Sequence, residues 1–194
     1  MTCIVGLIDG DTTYLGADSC SSSGWREQTL LQKKVFKLRD TQNAILGFSG
    51  AIRDLNLLQY AEDLIDKRDE PDVDHKYIVT KFIPNVIRLF NNNLRNSSDK
   101  GIGEFESYFL LGYKNKLWLI ESNYAVFETK DNYQAIGCGT NYALGSLHST
   151  NGTDLTPVER IHKALQAASK FSTGVSAPFY IINTANDEVT EFKD

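Results

Sequence analysis

Thr2-Cys3-Ile4-Val5-Gly6-Leu7-Ile8-Asp9-Gly10-Asp11-Thr12-Thr13-Tyr14-Leu15-Gly16-Ala17-Asp18 opens the chain, directly behind Met1. Residues 2–8 are apolar, short and partly β-branched, which is the composition of a buried strand. Asp9-Gly10-Asp11 is a turn signal, and residues 12–17 read as the returning strand. The chain therefore starts as a hairpin, with Thr2 at the head of one strand and Asp18 at the end of the other.

Working outward, residues 19–29 are small and polar and read as a loop. Residues 34–38 and 44–49 give two more strands around the polar stretch 39–43. The period then changes. Leu57, Leu58, Ala61, Leu64 and Ile65 recur at three-and-four spacing, which predicts an amphipathic helix over 50–67. A charged linker with Pro71 follows over 66–74. Val79, Phe82, Ile83, Val86, Phe90 and Leu94 predict a second helix over 75–95, where Pro84 should kink the helix or move its boundary. Residues 96–103 read as a loop. Strands are expected at 105–112, 117–121, 124–129 and 133–137, and a helix over 139–149. Thr156-Pro157-Val158-Glu159 is a helix start, with Thr156 as cap, Pro157 at the first helical position and Glu159 completing a capping box. That helix should run over 157–171. A hairpin of 179–184 and 188–192, turning at Asn186-Asp187, closes the chain.

Strand groups and helix groups are segregated in this order, which excludes a doubly wound parallel sheet. An α+β fold is expected, with helices covering the outer faces of mainly antiparallel sheets. The 194 residues are expected to form one domain, 1–194, large enough to bury about 70% of the unfolded chain's surface.

Hydrophobic residues make up 41% and charged residues 23% of the chain, and the net charge is −5. No basic block interrupts this balance, so a nucleic-acid groove is disfavoured. No apolar run approaches the roughly 20 residues that span a bilayer, and the N-terminus lacks the basic start of a signal peptide. A cytoplasmic protein without membrane contact is expected. Cys3, Cys20 and Cys138 are odd in number and widely spaced, and His75, His148 and His162 lack metal-ligand spacing. Neither metal nor cofactor is expected.

The residue after Met1 carries the chemistry. Removing Met1 would leave Thr2 with a free α-amine beside its own hydroxyl, so that one residue holds both nucleophile and base. An α-amine has a reference pKa of about 7.7–8.0 and can accept the hydroxyl proton near neutral pH. A nearby buried ammonium would lower that pKa further, and would itself need a carboxylate partner. Asp18 and Lys34 are the candidates: three neighbouring antiparallel strands would place Thr2, Asp18 and Lys34 at one end of a sheet. Gly50 follows the fourth strand just before a helix, where its amide is a natural oxyanion donor.

Five segments carry a resemblance at this point: Thr2-Cys3-Ile4-Val5-Gly6, Gly16-Ala17-Asp18-Ser19, Lys34-Val35-Phe36, Gly47-Phe48-Ser49-Gly50 and Ala135-Ile136-Gly137-Cys138-Gly139-Thr140-Asn141-Tyr142-Ala143. In order and spacing the chain resembles the proteasome-type branch of the N-terminal nucleophile hydrolases, which includes proteasome β subunits and HslV. The resemblance implies a four-layer αββα sandwich. It implies Thr2 as nucleophile, Asp18 and Lys34 as charge partners and the Gly50 amide as oxyanion donor. Cys138 stands where the family has a serine near the terminal amine. Thr173 stands for a second serine, and Lys170 occupies the position of a family aspartate. A homo-oligomer of stacked rings, with the helices at 50–67 and 75–95 as candidate ring contacts, a peptide or unfolded-protein substrate and an ATPase unfoldase partner are implied in the same way.

Two other readings share these residues: a catalytically silent assembly protein that keeps the sandwich for its contacts, and an amidase acting on a small molecule. Asp18 and Lys34 alone would fit a structural ion pair. Cys138 fits either a small core residue or the edge of the site. Cys3 and Cys20 read as packing or surface residues.

Overall fold

The computed structural model describes residues 1–23, 26–39, 41, 43–66, 68, 73–94 and 107–194. The strands are β1 (Cys3–Asp9), β2 (Thr12–Ala17), β3 (Cys20–Ser23), β4 (Arg26–Thr29), β5 (Val35–Lys37), β6 (Ala44–Ser49), β7 (Tyr108–Tyr113), β8 (Lys116–Ile120), β9 (Val126–Glu128), β10 (Tyr133–Gly137), β11 (Phe179–Asn183) and β12 (Val189–Phe192). The helices are α1 (Ile52–Tyr60), α2 (His75–Tyr77), α3 (Ile83–Leu94), α4 (Thr140–Ser149) and α5 (Pro157–Phe171). A single π turn, Ile78–Phe82, joins α2 to α3.

Two five-stranded antiparallel sheets face each other, one ordered β10-β1-β2-β11-β12 and the other β5-β6-β7-β8-β9. Between them lies a core of Ile4, Leu15, Val35, Ile45, Leu110 and Leu117, among others. The outer face of the first sheet is covered by α4 and α5 through Ala143, Leu147, Ile161 and Leu165. The outer face of the second is covered by α1 and α3 through Leu55, Leu58, Val86 and Phe90. This is the expected αββα sandwich. Both faces of each sheet are buried, which is why β1, β6 and β7 read as near-continuous apolar runs rather than as alternations. Gly47 lets the sheets approach closely near the head of β1, since a Cβ there would lie 2.4 Å from Ile4 Cγ2.

Several boundaries differ from the sequence reading. The stretch 19–29, expected as a loop, contains the hairpin β3–β4, with Cys20 opposite Thr29 and Ser21 opposite Gln28. Its small polar residues concealed two strands that belong to neither main sheet. Helix α1 ends at Tyr60 rather than near 67, because Ala61 turns to ψ 146° and its N–H closes on Leu58 O. Leu64 and Ile65 are buried all the same, from the following turn, and the apolar spacing registered that burial as helix. The Pro84 effect takes a definite form. Proline has no N–H to offer the preceding turn, and the ladder widens just ahead of it, with Ile83 N–H bonding Ile78 O five residues back. The capping box at Thr156 and Glu159 forms as expected, with Pro157 in the first turn. The expected loop at 96–103 and the first residues of the strand expected at 105–112 lie outside the described residues. Among the described residues no helix is long and apolar enough to cross a membrane.

Candidate active site

The site sits where the heads of β1 and β5 and the ends of β2, β6 and β10 meet. β1 lies between β10 and β2, with Cys3 opposite Gly137 and Ile4 opposite Ala17. Continuing the first register by one residue sets Thr2 opposite Cys138. Thr2 N–H points at Cys138 Sγ at 3.4 Å, and the Cys138 thiol at Thr2 O, also at 3.4 Å. Asp18, one residue past β2, donates its backbone N–H to Cys3 O. Its carboxylate accepts from the Cys3 N–H through Oδ1 and from the Cys20 N–H through Oδ2, each at 2.9 Å.

Lys34 comes from elsewhere. The expectation of three neighbouring strands in one sheet is corrected here, because Lys34 stands just before β5, at the edge of the opposite sheet. Its backbone carbonyl accepts from Phe48 N–H on β6, which fixes the start of that edge. The side chain then reaches across the sandwich. Lys34 Nζ lies 3.0 Å from Thr2 Oγ1 and 2.9 Å from Asp18 Oδ1, and also donates to Cys20 O. Lys34 is 3% and Asp18 1% exposed. A buried ammonium is tolerable only with such partners, and here all three of its hydrogens have them. Burial pushes the Asp18 carboxyl above its ordinary value, while the Lys34 charge and the two backbone N–H groups pull it back.

Gly50 turns the chain from β6 into α1 at φ 154°, a left-handed region that disfavours a side chain. A Cβ there would fall 2.0 Å from Ser107 Oγ. Ser107 accepts from Ala51 N–H at 3.2 Å and donates to Asp54 Oδ2 at 3.0 Å, so one hydroxyl ties the turn to the first residues of α1. Among the described residues nothing accepts from the Gly50 N–H, which leaves that donor free at the edge of a cleft of about 470 Å³. Met1, Ser49, Gly50, Ile136 and Gly137 line the cleft beside Thr2.

Thr2, Asp18, Lys34, Gly50 and Cys138 are thus gathered in one place. Thr173 is not joined to them: it is exposed in the turn after α5 and makes no hydrogen bond to the site. Lys170 is exposed in the last turn of α5 and does not reach the site either. The residue that does is Ser172, whose hydroxyl lies 3.4 Å from Cys138 Sγ. Sequence reasoning passed over Ser172, Gly174 and the Ser107–Asp54 pair. Gly174 seats the N-terminus, since a Cβ there would meet Met1 Cβ at 2.3 Å and Cys138 Sγ at 2.9 Å. The glycine following Ser172-Thr173 was the available signal. Ser107 and Asp54, 53 positions apart, gave none. Burial pushes the Cys3 thiol far above its ordinary range, so it stays protonated in the core, as its reading as a packing residue requires. Among the described residues no group of three His, Cys, Asp or Glu side chains is placed to hold a metal ion.

Known proteins agree with this architecture. The sequence pattern of the proteasome subunit family matches residues 1–177. The ATP-dependent protease subunit HslV of Caldicellulosiruptor saccharolyticus is 23% identical over 171 residues, covering 87% of this chain and 89% of that protein. Among solved structures, Thiobacillus denitrificans BPH, determined alone and in complex with epoxomicin, superposes with a TM-score of 0.72 at 14% identity over 94% of this chain and 97% of that one. Eukaryotic HslV from Trypanosoma brucei gives a TM-score of 0.72 at 17% identity over 94% and 98%. With the family pattern running through nine-tenths of its length and the sandwich in place, the chain belongs to the proteasome subunit family.

Proposed function

We propose that this chain, once Met1 is removed, is a threonine-type N-terminal nucleophile hydrolase that cleaves peptide bonds. The observation that carries the reading is the Lys34 ammonium, held between Thr2 Oγ1 and Asp18 Oδ1 with all three groups buried. A structural ion pair needs no hydroxyl at its open side. In the proposed reaction the freed Thr2 amine takes the Oγ1 proton, and Oγ1 attacks the scissile carbonyl. The fixed positive charge of Lys34 favours the developing alkoxide and disfavours protonation of the amine. The Gly50 N–H receives the oxyanion. The amine then returns its proton to the leaving amine, and water cleaves the remaining ester. Cys138 and Ser172 orient the amine, with Ser172 taking the part expected of Thr173.

Assembly into stacked homo-oligomeric rings, a peptide or unfolded-protein substrate, an ATPase partner and a cytoplasmic location are parts of the same proposal. They are supported by family membership and by the HslV relative, whose name describes an ATP-dependent protease subunit. The test is hydrolysis of an unfolded casein by protein whose intact mass lacks Met1, compared with Thr2→Ala. Peptide release by the first and none by the second is expected. Turnover of a small amide alone would move the reading to an amidase, and no turnover at all to a silent assembly protein.

A further inference from the structure

Beyond Gly50 the cleft continues along the second sheet. Ser49 stands opposite Tyr108. Extending the β7–β8 register one residue beyond Phe109 and Ile120 places Tyr108 opposite Glu121. Ser49, Tyr108 and Glu121 therefore form a row across three strands, and all three line the cleft. Two strand spacings separate the ends of the row, which puts the Glu121 backbone about 10 Å from Ser49. Leu119 shares the Glu121 face, as residues two apart on a strand do, and Ala135 and Ile136 close the cleft from the opposite sheet.

Glu121 is the one charged side chain on this lining. It is half-buried, and among the described residues its carboxylate has neither a hydrogen-bond donor nor a cationic partner. A carboxylate set at the far end of the cleft suits a cationic guest. The intervening surface suits the stem of such a guest, since Leu119 and Ile136 can cover methylenes and Tyr108 lines the same cleft. The roughly 10 Å from Ser49, beside Gly50, to Glu121 suits a single long side chain entering from that end.

We propose that this cleft is a subsite for an arginine or lysine side chain flanking the scissile bond, with Glu121 as its specificity-determining residue. The proposal rests on the hydrolase reading above for the meaning of "scissile", but the binding itself does not require turnover. Two measurements keep the claims apart. Met1-free protein digests casein, and mass spectrometry reads the residues flanking each cut. Arginine and lysine should be enriched at least threefold over their frequency at one flanking position. The enrichment should vanish in Glu121→Gln and give way to aspartate and glutamate in Glu121→Lys. Identical flanking preferences in all three proteins would overturn the proposal. In parallel, Thr2→Ala protein is titrated with fluorescein-labelled nonapeptides that differ only in a central arginine or glutamine. The arginine peptide should bind at least fivefold more tightly, and Glu121→Gln should abolish the difference. Equal binding of the two peptides would also overturn the subsite. A binding preference without any cutting by Met1-free protein would leave the subsite standing and sink the hydrolase reading.

Discussion

Lys34 Nζ lies 3.0 Å from Thr2 Oγ1 although the two residues come from opposite sheets of the sandwich. The ammonium crosses between the sheets and meets the hydroxyl and the Asp18 carboxylate, with all three residues buried. Folding therefore fixes the charge beside the Thr2 hydroxyl before any substrate arrives, which is the preorganisation that the proposed reaction needs.

Removing one member of this pair should cost both activity and stability. Lys34→Met leaves the Asp18 carboxylate buried without its counter-charge, and Asp18→Asn does the same to the ammonium. Each single change should destabilise by about 3–5 kcal/mol in denaturant unfolding. The double variant should recover much of that loss while remaining inactive. Full additivity of the two losses would contradict a coupled pair.

Gly50→Ala keeps the N–H but cannot hold the turn, so displacing this oxyanion donor should lower kcat about 10²–10³-fold. The new methyl group would strike Ser107, and the φ of 154° would resist any side chain. KM should change far less. A variant with wild-type kcat would show that the conformation of the turn at residue 50 does not set the rate.

Asp54 provides a pH signature. Burial pushes its carboxyl up from the ordinary value, with the Ser107 hydroxyl pulling it back. The folded protein thus holds this proton to higher pH than the unfolded chain does. The associated stability is fully present below the ordinary carboxylate range and is lost as pH rises through the raised folded value. The melting temperature of wild type relative to Asp54→Asn should therefore be more favourable at about pH 4 than at about pH 7. The opposite trend would mean that the Ser107 hydrogen bond outweighs burial.

The hairpin of β1 and β2, the change of period at residue 50 and the capping box at Thr156 were legible because each depends on neighbours in the chain. So were Thr2, Asp18, Lys34 and Gly50, which fall at strand ends. The route of Lys34 across the sandwich was not, since strand order within a sheet is a tertiary outcome. Ser172 displaced Thr173 for a similar reason: a shift of one residue in a turn decides which hydroxyl faces Cys138, and no periodicity governs it. Glu121 reads from sequence as the polar end of a strand. Only the continued register with Tyr108 turns it toward the cleft.

Cys138 is the exposed thiol, whereas Cys3 and Cys20 are fully buried. A maleimide should therefore add once to the native protein and three times in denaturant, as read by intact mass. The single adduct should suppress hydrolysis by crowding the Thr2 amine 3.4 Å away. Cys138→Ser should keep activity, because a hydroxyl donates and accepts in the same place more strongly than a thiol. Unimpaired hydrolysis by the adduct would separate Cys138 from the site.

The most direct test of the central claim is the intact mass of bacterially expressed protein before and after a peptide epoxyketone. That reagent closes a ring through both the hydroxyl and the α-amine of an N-terminal threonine, so it reads nucleophile and base together. The account predicts a mass lacking Met1 and a stoichiometric adduct on Thr2, absent in Thr2→Ala and strongly slowed in Lys34→Met. A Met1-free protein that takes up no adduct would contradict it.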